Sequence, residues 1–475
     1  MDSMKPATRR LFARFPLAQP WLHRLLPVAQ RYAAVPVVAF FLVYALQATV
    51  FRDVASLPRL HYPFYLFMLT SAFLYFLPSG EQRQQFSRAS VAGYGVFLVL
   101  ALAGTFWRPE YEIHIGATQR MFMYVLGFVT ALQVRTAAHR RGLYLTMVAS
   151  AVIISLWTIA SAIQSDFAYR GATGVNPNFV SRLIGIGLIP VYAYLLGSGV
   201  RRTGWKFWSA GLVLGLGLYA TFILASRGVL AALAAAMGLV LIRSALSMRD
   251  FAKKAVATVL LAAVALFLPG GLAVVNRSVG EIEFFKGMVA DKGQVDKTPA
   301  PAPVTNPTDT APVPAARPSE APAKPVETPA KPAQGQTTEL NGRWPLWEAA
   351  FKHFAEANPL VKLFGGGMGT SENVVNRRAD WVKSMHNTYL QVLMDGGIFG
   401  LLAFCLLLAG VTWHSLRSRG PGGIAAAGLV LFLGTVMLTA TIIENNVFWI
   451  VLGVAMPRVA GEGTEVLGGA AAADS

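Results

Sequence analysis

Residues 211–246 read GLVLGLGLYATFILASRGVLAALAAAMGLVLIRSAL. Two apolar runs, 207–225 and 228–242, are separated here by one charged residue, Arg227. A helix that crosses a bilayer needs about 20 mainly apolar residues. The first run meets that length, and the second calls for tilt or extension by its flanks. The same reading carried outward finds further runs at 33–51, 62–78, 90–107, 121–134, 143–163, 179–199, 255–275, 389–413, 423–442 and 446–457, twelve in all. Composition points the same way. Of 475 residues, 54% are hydrophobic and only 14% are charged, against about 25% charged in a typical soluble domain. A chain this apolar cannot cover itself with polar surface. The expected fold is an all-α polytopic membrane protein with about twelve transmembrane helices.

The net charge of +17 is spread in short clusters between the runs. That distribution argues against a nucleic-acid surface and for membrane topology. Lys and Arg concentrate on alternate connections: the N-terminal segment; Arg83 and Arg88; Arg135, Arg140 and Arg141; Arg201, Arg202 and Lys206; Arg243, Arg249, Lys253 and Lys254; Arg417 and Arg419; and Arg458. The opposite short connections carry only Arg52, Arg59, Arg108, Arg120, Arg170 and Arg227. Because positive loops stay inside, both termini are expected in the cytoplasm. Residues 1–32 then form a cytoplasmic basic segment, in which 9–31 suits a lipid surface. The first run lacks a small-residue cleavage site and reads as a retained anchor rather than a signal peptide. Residues 33–275 hold helices one to nine, 389–457 hold helices ten to twelve, and 458–475 form a cytoplasmic tail. The one cysteine, Cys405, excludes an intramolecular disulfide.

The same topology makes 276–388 a large periplasmic loop. Within it, residues 298–333 hold 11 of the chain's 27 prolines. Such a stretch cannot bury enough apolar surface to offset its ordering entropy, so a disordered, extended tether is expected. Residues 339–385 differ. In RWPLWEAAFKHFAEANPL (343–360), Trp344, Trp347, Ala350, Phe351 and Phe354 recur at helical spacing. This predicts an amphipathic helix packed on the outer ends of the membrane helices.

Seven histidines occur, and none has metal-ligand spacing to a carboxylate or cysteine partner. No metal or other cofactor is expected. GGGMG (365–369) lacks the ending of a phosphate loop and reads as a turn. GLVLGLG (211–217) mimics a dinucleotide fingerprint but lies inside a span, where small residues serve helix packing. Three features on the outer side carry more. Arg227 interrupts two apolar runs at the boundary, where simple snorkelling also explains a cation. Arg343 begins the amphipathic helix in NGRWPLW; a cation there opposes the helix dipole unless an anion meets it, and a solvated helix start is the plainer reading. His386 lies in SMHNTYLQVLMDGGIFG (384–400), where the loop re-enters the membrane. A lone interfacial histidine is commonly inert, but two arginines on the same face give this one company.

Five blocks then stand in order: YRGATGVNPN (169–178), SRG (226–228), GRWPLWEAA (342–350), FGGGMG (364–369) and HNTYLQVLMDGGIFG (386–400). With them, over roughly residues 160–405, the chain resembles the O-antigen ligase superfamily. That superfamily includes lipopolysaccharide O-antigen ligases, O-antigen polymerases and oligosaccharyl transferases that modify proteins. The proline-rich insert departs from the pattern and reads as a lineage-specific spacer. The resemblance implies a GT-C-like glycosyltransferase in the Gram-negative inner membrane, with its active site facing the periplasm. The donor would be O-antigen on undecaprenyl pyrophosphate, and the acceptor a sugar hydroxyl of lipid A–core oligosaccharide.

The residues found independently suit that chemistry. Departure of a lipid pyrophosphate builds negative charge beside an existing anion, and positioned cations stabilise it. Arginine does so through bidentate contacts without losing its proton. The attacking hydroxyl must lose its proton, and imidazole suits a general base near neutrality. His386 is therefore the expected base, with Arg227 and Arg343 on the pyrophosphate and Arg170 and Arg182 as further candidates. Direct displacement would invert the anomeric centre. Asn178, Asn387 and Tyr389 are candidates to orient sugar or histidine, although turn formation and anchoring explain them equally well. Asp395 has no assigned role. A polymerase or a protein O-oligosaccharyltransferase differs only in acceptor. A secondary transporter would place ionisable residues and broken helices near the midplane, often in an inverted repeat; here only Arg182 and Asp395 fall inside spans, and no repeat is visible.

Overall fold

A computed structural model of the chain describes residues 32, 34–51, 85–86, 93–100, 115–134, 136–167, 175–197, 204–272, 339–371, 374, 385–417, 420–442, 445–456 and 458–459. The basic N-terminal segment, the run at 62–78, Arg170, the tether at 298–333 and the C-terminal tail beyond 459 lie outside the described residues. Among the described residues ahead of the large loop lie α1 (Val35–Gln47), α2 (Ile115–Gln133), α3 (Ala137–Gln164), α4 (Pro177–Leu196), α5 (Trp205–Leu224), α6 (Arg227–Ser244) and α7 (Met248–Phe267), with residues 93–100 also helical. Within the loop lie α8 (Glu339–Glu356) and α9 (Pro359–Phe364), and α10 (Thr388–Arg417), α11 (Pro421–Met437) and α12 (Asn446–Ala455) follow it. A two-residue antiparallel pairing, β1 (Gln85–Phe86) with β2 (Arg458–Val459), is the sheet structure among the described residues.

Each predicted apolar run that contains described residues carries helical ones. Among the described residues five helices, α3, α4, α5, α6 and α10, are long and apolar enough to cross a membrane, and α1, α11, α12 and part of α2 are shorter apolar helices. This is the architecture of a helical membrane protein. Small residues let its helices approach closely. Gly217 of α5 lies against Leu188 of α4, and Gly187 of α4 lies against Ala151 of α3. Helix α7 begins ahead of its predicted run, at Met248, because Ser247 caps it by accepting from the Asp250 amide at 3.2 Å.

The bundle has two chemically distinct ends. At one, Lys254 donates to the carbonyls of Leu196 (3.2 Å) and Ser244 (2.7 Å), Arg243 donates to Leu416, and Tyr144 donates to Gly422 (3.2 Å). These contacts gather the starts of α3, α7 and α11 with the ends of α4, α6 and α10. The other end gathers the ends of α5 and α7, where Tyr219 donates to the Pro269 carbonyl at 2.7 Å, with the starts of α4, α6 and α10.

Helix α10 corrects the reading of 389–413 as one continuous span. Gly397 adopts φ 66° and ψ −166°, far from helical values. As one straight helix, α10 would hold Tyr389 and Phe404 about 22 Å apart along its axis, yet their ring centroids are 6.2 Å apart. The carbonyl oxygen of Val392 lies 3.8 Å from where a Cβ on Gly400 would sit. The chain therefore folds back at 396–397 into an upper limb, 388–396, and a lower limb, 398–417. The lower limb alone is about 30 Å long, the thickness of a hydrocarbon core. Gly397, which has no Cβ, supplies the freedom for this turn.

Candidate functional site

The site is built where α4, α6, α10 and α11 meet. Asn176 caps α4 by accepting from the Asn178 amide (2.9 Å), and Ser226 donates its hydroxyl to Asn178 Oδ1 at 2.6 Å. Ser226 is the residue before α6, so its hydroxyl ties the start of α6 to that of α4 instead of capping its own helix. Gly228, on the first turn of α6, lies against Thr439: a Cβ there would sit 2.6 Å from the Thr439 hydroxyl. The neighbouring Ala440 carbonyl accepts from the Thr388 hydroxyl at 2.8 Å, and Thr388 Oγ1 in turn accepts from the Ile442 amide at 3.0 Å. Arg227 and His386 thus flank one turn at 438–442, reached from α6 and α10 respectively.

Arg343 arrives on α8. Leu346 and Ala350 of α8 pack with Met385, Leu390 and Met394, flanked by Trp347, Phe354 and Leu393. The Trp347 indole donates to the Met385 carbonyl at 3.1 Å, directly before His386. Burying such side chains contributes about 1.5–3 kcal/mol apiece, so the seat tolerates loss of a single hydrogen bond of about 1 kcal/mol. Helix α8 begins at Glu339, so Arg343 lies past its first turn and not at its start. Pro345, also inside the helix, costs it a backbone hydrogen bond.

Arg182, near the start of α4, completes the group. Its Nε donates to the Asn178 carbonyl at 2.9 Å, and its guanidinium lies 5.9 Å from the centre of the Phe179 ring. It interacts electrostatically with Tyr44 of α1 and with Arg343. Two arginines from helices more than 150 residues apart in sequence therefore lie within electrostatic reach of each other. His386 has φ 51°, in the left-handed region that non-glycine residues seldom adopt. Such backbone persists only where the surroundings enforce it, and here Met385 and Thr388 are both pinned.

Arg182, Arg227, Arg343, His386 and Asn178 are thus brought to one end of the bundle, while Arg170 lies outside the described residues. The three neutral candidates have structural bonds. Asn178 links α4 to α6, Asn387 caps the upper limb by accepting from the Leu390 amide (3.1 Å), and Tyr389 donates to the Gly434 carbonyl (3.0 Å). Among the described residues no three His, Cys, Asp or Glu side chains group as a metal site. Ser226, Thr388 and Thr439 were missed from the sequence. A serine before the first residue of α6 is the signature of a cap, and only tertiary structure shows it turned to a neighbouring helix.

Residues 210–405 match the family model described as O-antigen ligase. The match runs from α5 into the lower limb of α10. It takes in Arg227, Arg343 and His386 and leaves Arg182 and Asn178 ahead of it. It supports the O-antigen ligase and polymerase superfamily, and with it an enzyme of the glycosyl-transfer type. No curated protein matches the chain.

Proposed function

We propose that this protein is an inverting, metal-independent glycosyltransferase. It moves O-antigen polysaccharide from undecaprenyl pyrophosphate to a sugar hydroxyl of lipid A–core oligosaccharide, on the periplasmic face of the Gram-negative inner membrane. The observation that carries this reading is the gathering of Arg182, Arg227, Arg343 and His386 at one end of the bundle, with Arg182 and Arg343 within electrostatic reach of each other. Like charges held near each other repel, and an anion between them turns that cost into charge-assisted hydrogen bonds. A pyrophosphate carries the charge and the oxygens to do so. Arg227 adds a third guanidinium, at the first residue of α6, beside backbone amides that also favour an anion. The family match supports the glycosyl-transfer class, and the positive-inside rule supports a periplasmic placement, since the site lies at the end opposite Arg243 and Lys254.

In this reading the acceptor hydroxyl attacks the anomeric carbon. Its O–H bond breaks and the proton passes to His386, while the bond from the anomeric carbon to the pyrophosphate oxygen breaks and leaves with the electron pair. Negative charge grows on the departing lipid pyrophosphate, where Arg182, Arg227 and Arg343 stabilise it. One displacement on the face opposite the leaving group inverts the anomeric centre.

An in vitro assay with purified protein, lipid-linked donor and lipid A–core acceptor tests this. The expected product is core bearing polymer, formed equally with and without EDTA. Growth of the lipid-linked chain with no core product would assign the polymerase reaction instead. Loss of activity on chelation would contradict the metal-independent route.

A further inference from the structure

We infer that Asp395 is a positioning residue, a latch that locks the glycine strap at 365–371 onto the fold-back of α10 and so fixes Arg343 relative to His386. This rests on the glycosyl-transfer reading and adds a residue that acts through the strap rather than on the reacting atoms.

Asp395 is buried, at 9% exposure. A carboxylate removed from water is costly unless it is hydrogen-bonded, and Asp395 Oδ1 accepts from the Ser371 amide at 2.9 Å. The backbone on both sides joins the same contact: Gly366 N–H donates to the Met394 carbonyl (3.0 Å) and Gly367 N–H to the Asp395 carbonyl (3.1 Å). No side chain fits between the two segments. A Cβ on Gly365 (φ 82°) would collide with the Asp395 carbonyl, and one on Gly397 (φ 66°) would collide with the Gly365 nitrogen. Upstream of the strap, Asn358 caps α9 by accepting from the Val361 amide (2.9 Å), and Phe364 packs on Phe399 with ring centroids 5.3 Å apart.

These contacts close a ring. The upper limb of α10 follows His386 at one end and carries Asp395 at the other. From Asp395 the ring passes through the strap and α9 to α8, which bears Arg343 and packs back on the same limb. The apolar seat alone holds α8 at one point; the latch supplies the second. Two fixed points set the separation of base and cation, and small errors in that geometry cost large factors in rate.

Purified full-length protein tests this in the transfer assay and by amide hydrogen exchange of the peptide containing Ser371. Asp395→Asn keeps an accepting oxygen and should stay within about threefold of the parent, with a slowly exchanging Ser371 peptide. Asp395→Ala should free the Ser371 end of the strap, exchange fast there, and lose about 10-fold or more in kcat/KM, chiefly as a higher donor KM, with the pH–rate profile unchanged in shape. An inactive Asp395→Asn with a protected peptide would overturn the latch, because the charge itself would then be required. Full activity in Asp395→Ala with a released strap would overturn the positioning role. If the parent protein transfers no glycan at all, the functional reading falls, and the exchange of the two variants still decides whether the latch exists.

Discussion

At one end of the bundle Lys254 donates to the Leu196 and Ser244 carbonyls and pairs with Asp250 at 2.8 Å, and Arg243 donates to Leu416. At the other, Arg182 lies within electrostatic reach of Arg343, and Arg227 occupies the first position of α6. The first set of cations satisfies carbonyls at the ends of α4, α6 and α10, where the helix dipole favours positive charge by about 0.3–1 kcal/mol each. In the second set Arg227 is the first residue of α6, where the same dipole opposes it, while Arg182 and Arg343 lie past the first turns of α4 and α8. Cations at the first end stabilise the protein as folded. At the second end Arg227 stands against the dipole and Arg182 feels the charge of Arg343, and in the proposed reading a bound anion offsets both. Position relative to the helix ends, rather than the number of basic residues, separates architecture from chemistry here.

Substitutions at the two ends should therefore fail differently. The largest effect belongs to His386→Ala. Removing a general base typically costs about 10²- to 10⁴-fold in rate, so transfer should be nearly abolished while binding of the lipid-linked donor persists; substantial turnover by this variant would remove the general-base role. Arg343→Ala and Arg227→Ala come next, with a loss of about 100-fold in kcat/KM that includes weaker donor affinity. Lysine at either position should recover only part of it, because a point charge cannot reproduce a bidentate contact. At the opposite end, Lys254→Ala should leave kcat/KM unchanged and lower thermal stability by about 1 kcal/mol, read as a drop of a few degrees in Tm. A Lys254→Ala variant that folds normally but transfers poorly would erase the distinction between the ends. Smallest of all, deleting 300–332 should leave membrane insertion and most transfer activity intact, since that stretch contains none of the site residues.

Much of this was legible in the sequence because hydropathy and charge are local signals. Runs of apolar residues give the helices, and clusters such as Arg243 to Lys254 mark the connections. The candidate site residues stood out for a related reason: Arg227, Arg343 and His386 interrupt apolar or amphipathic stretches. What stayed hidden depends on backbone shape or distant partners. Gly397 carries no signal of a reversal within its apolar run until its dihedral angles show one. Asp395 had no visible role because its partner, Ser371, is brought to it only by the strap. Arg182 was legible as a candidate, but its electrostatic coupling to Arg343 was not, because α4 and α8 are far apart in sequence.

The central claim is that Arg182 and Arg343 hold one anion between them. The most direct measurement is a double-mutant cycle on binding of undecaprenyl pyrophosphate, comparing the parent protein, Arg182→Ala, Arg343→Ala and the double variant. Each single change should weaken Kd by about 10- to 100-fold. The double variant should fall well short of the product of the two losses, with a coupling energy of about 1 kcal/mol or more. Independent, multiplying effects, or no effect of either change on Kd, would contradict it.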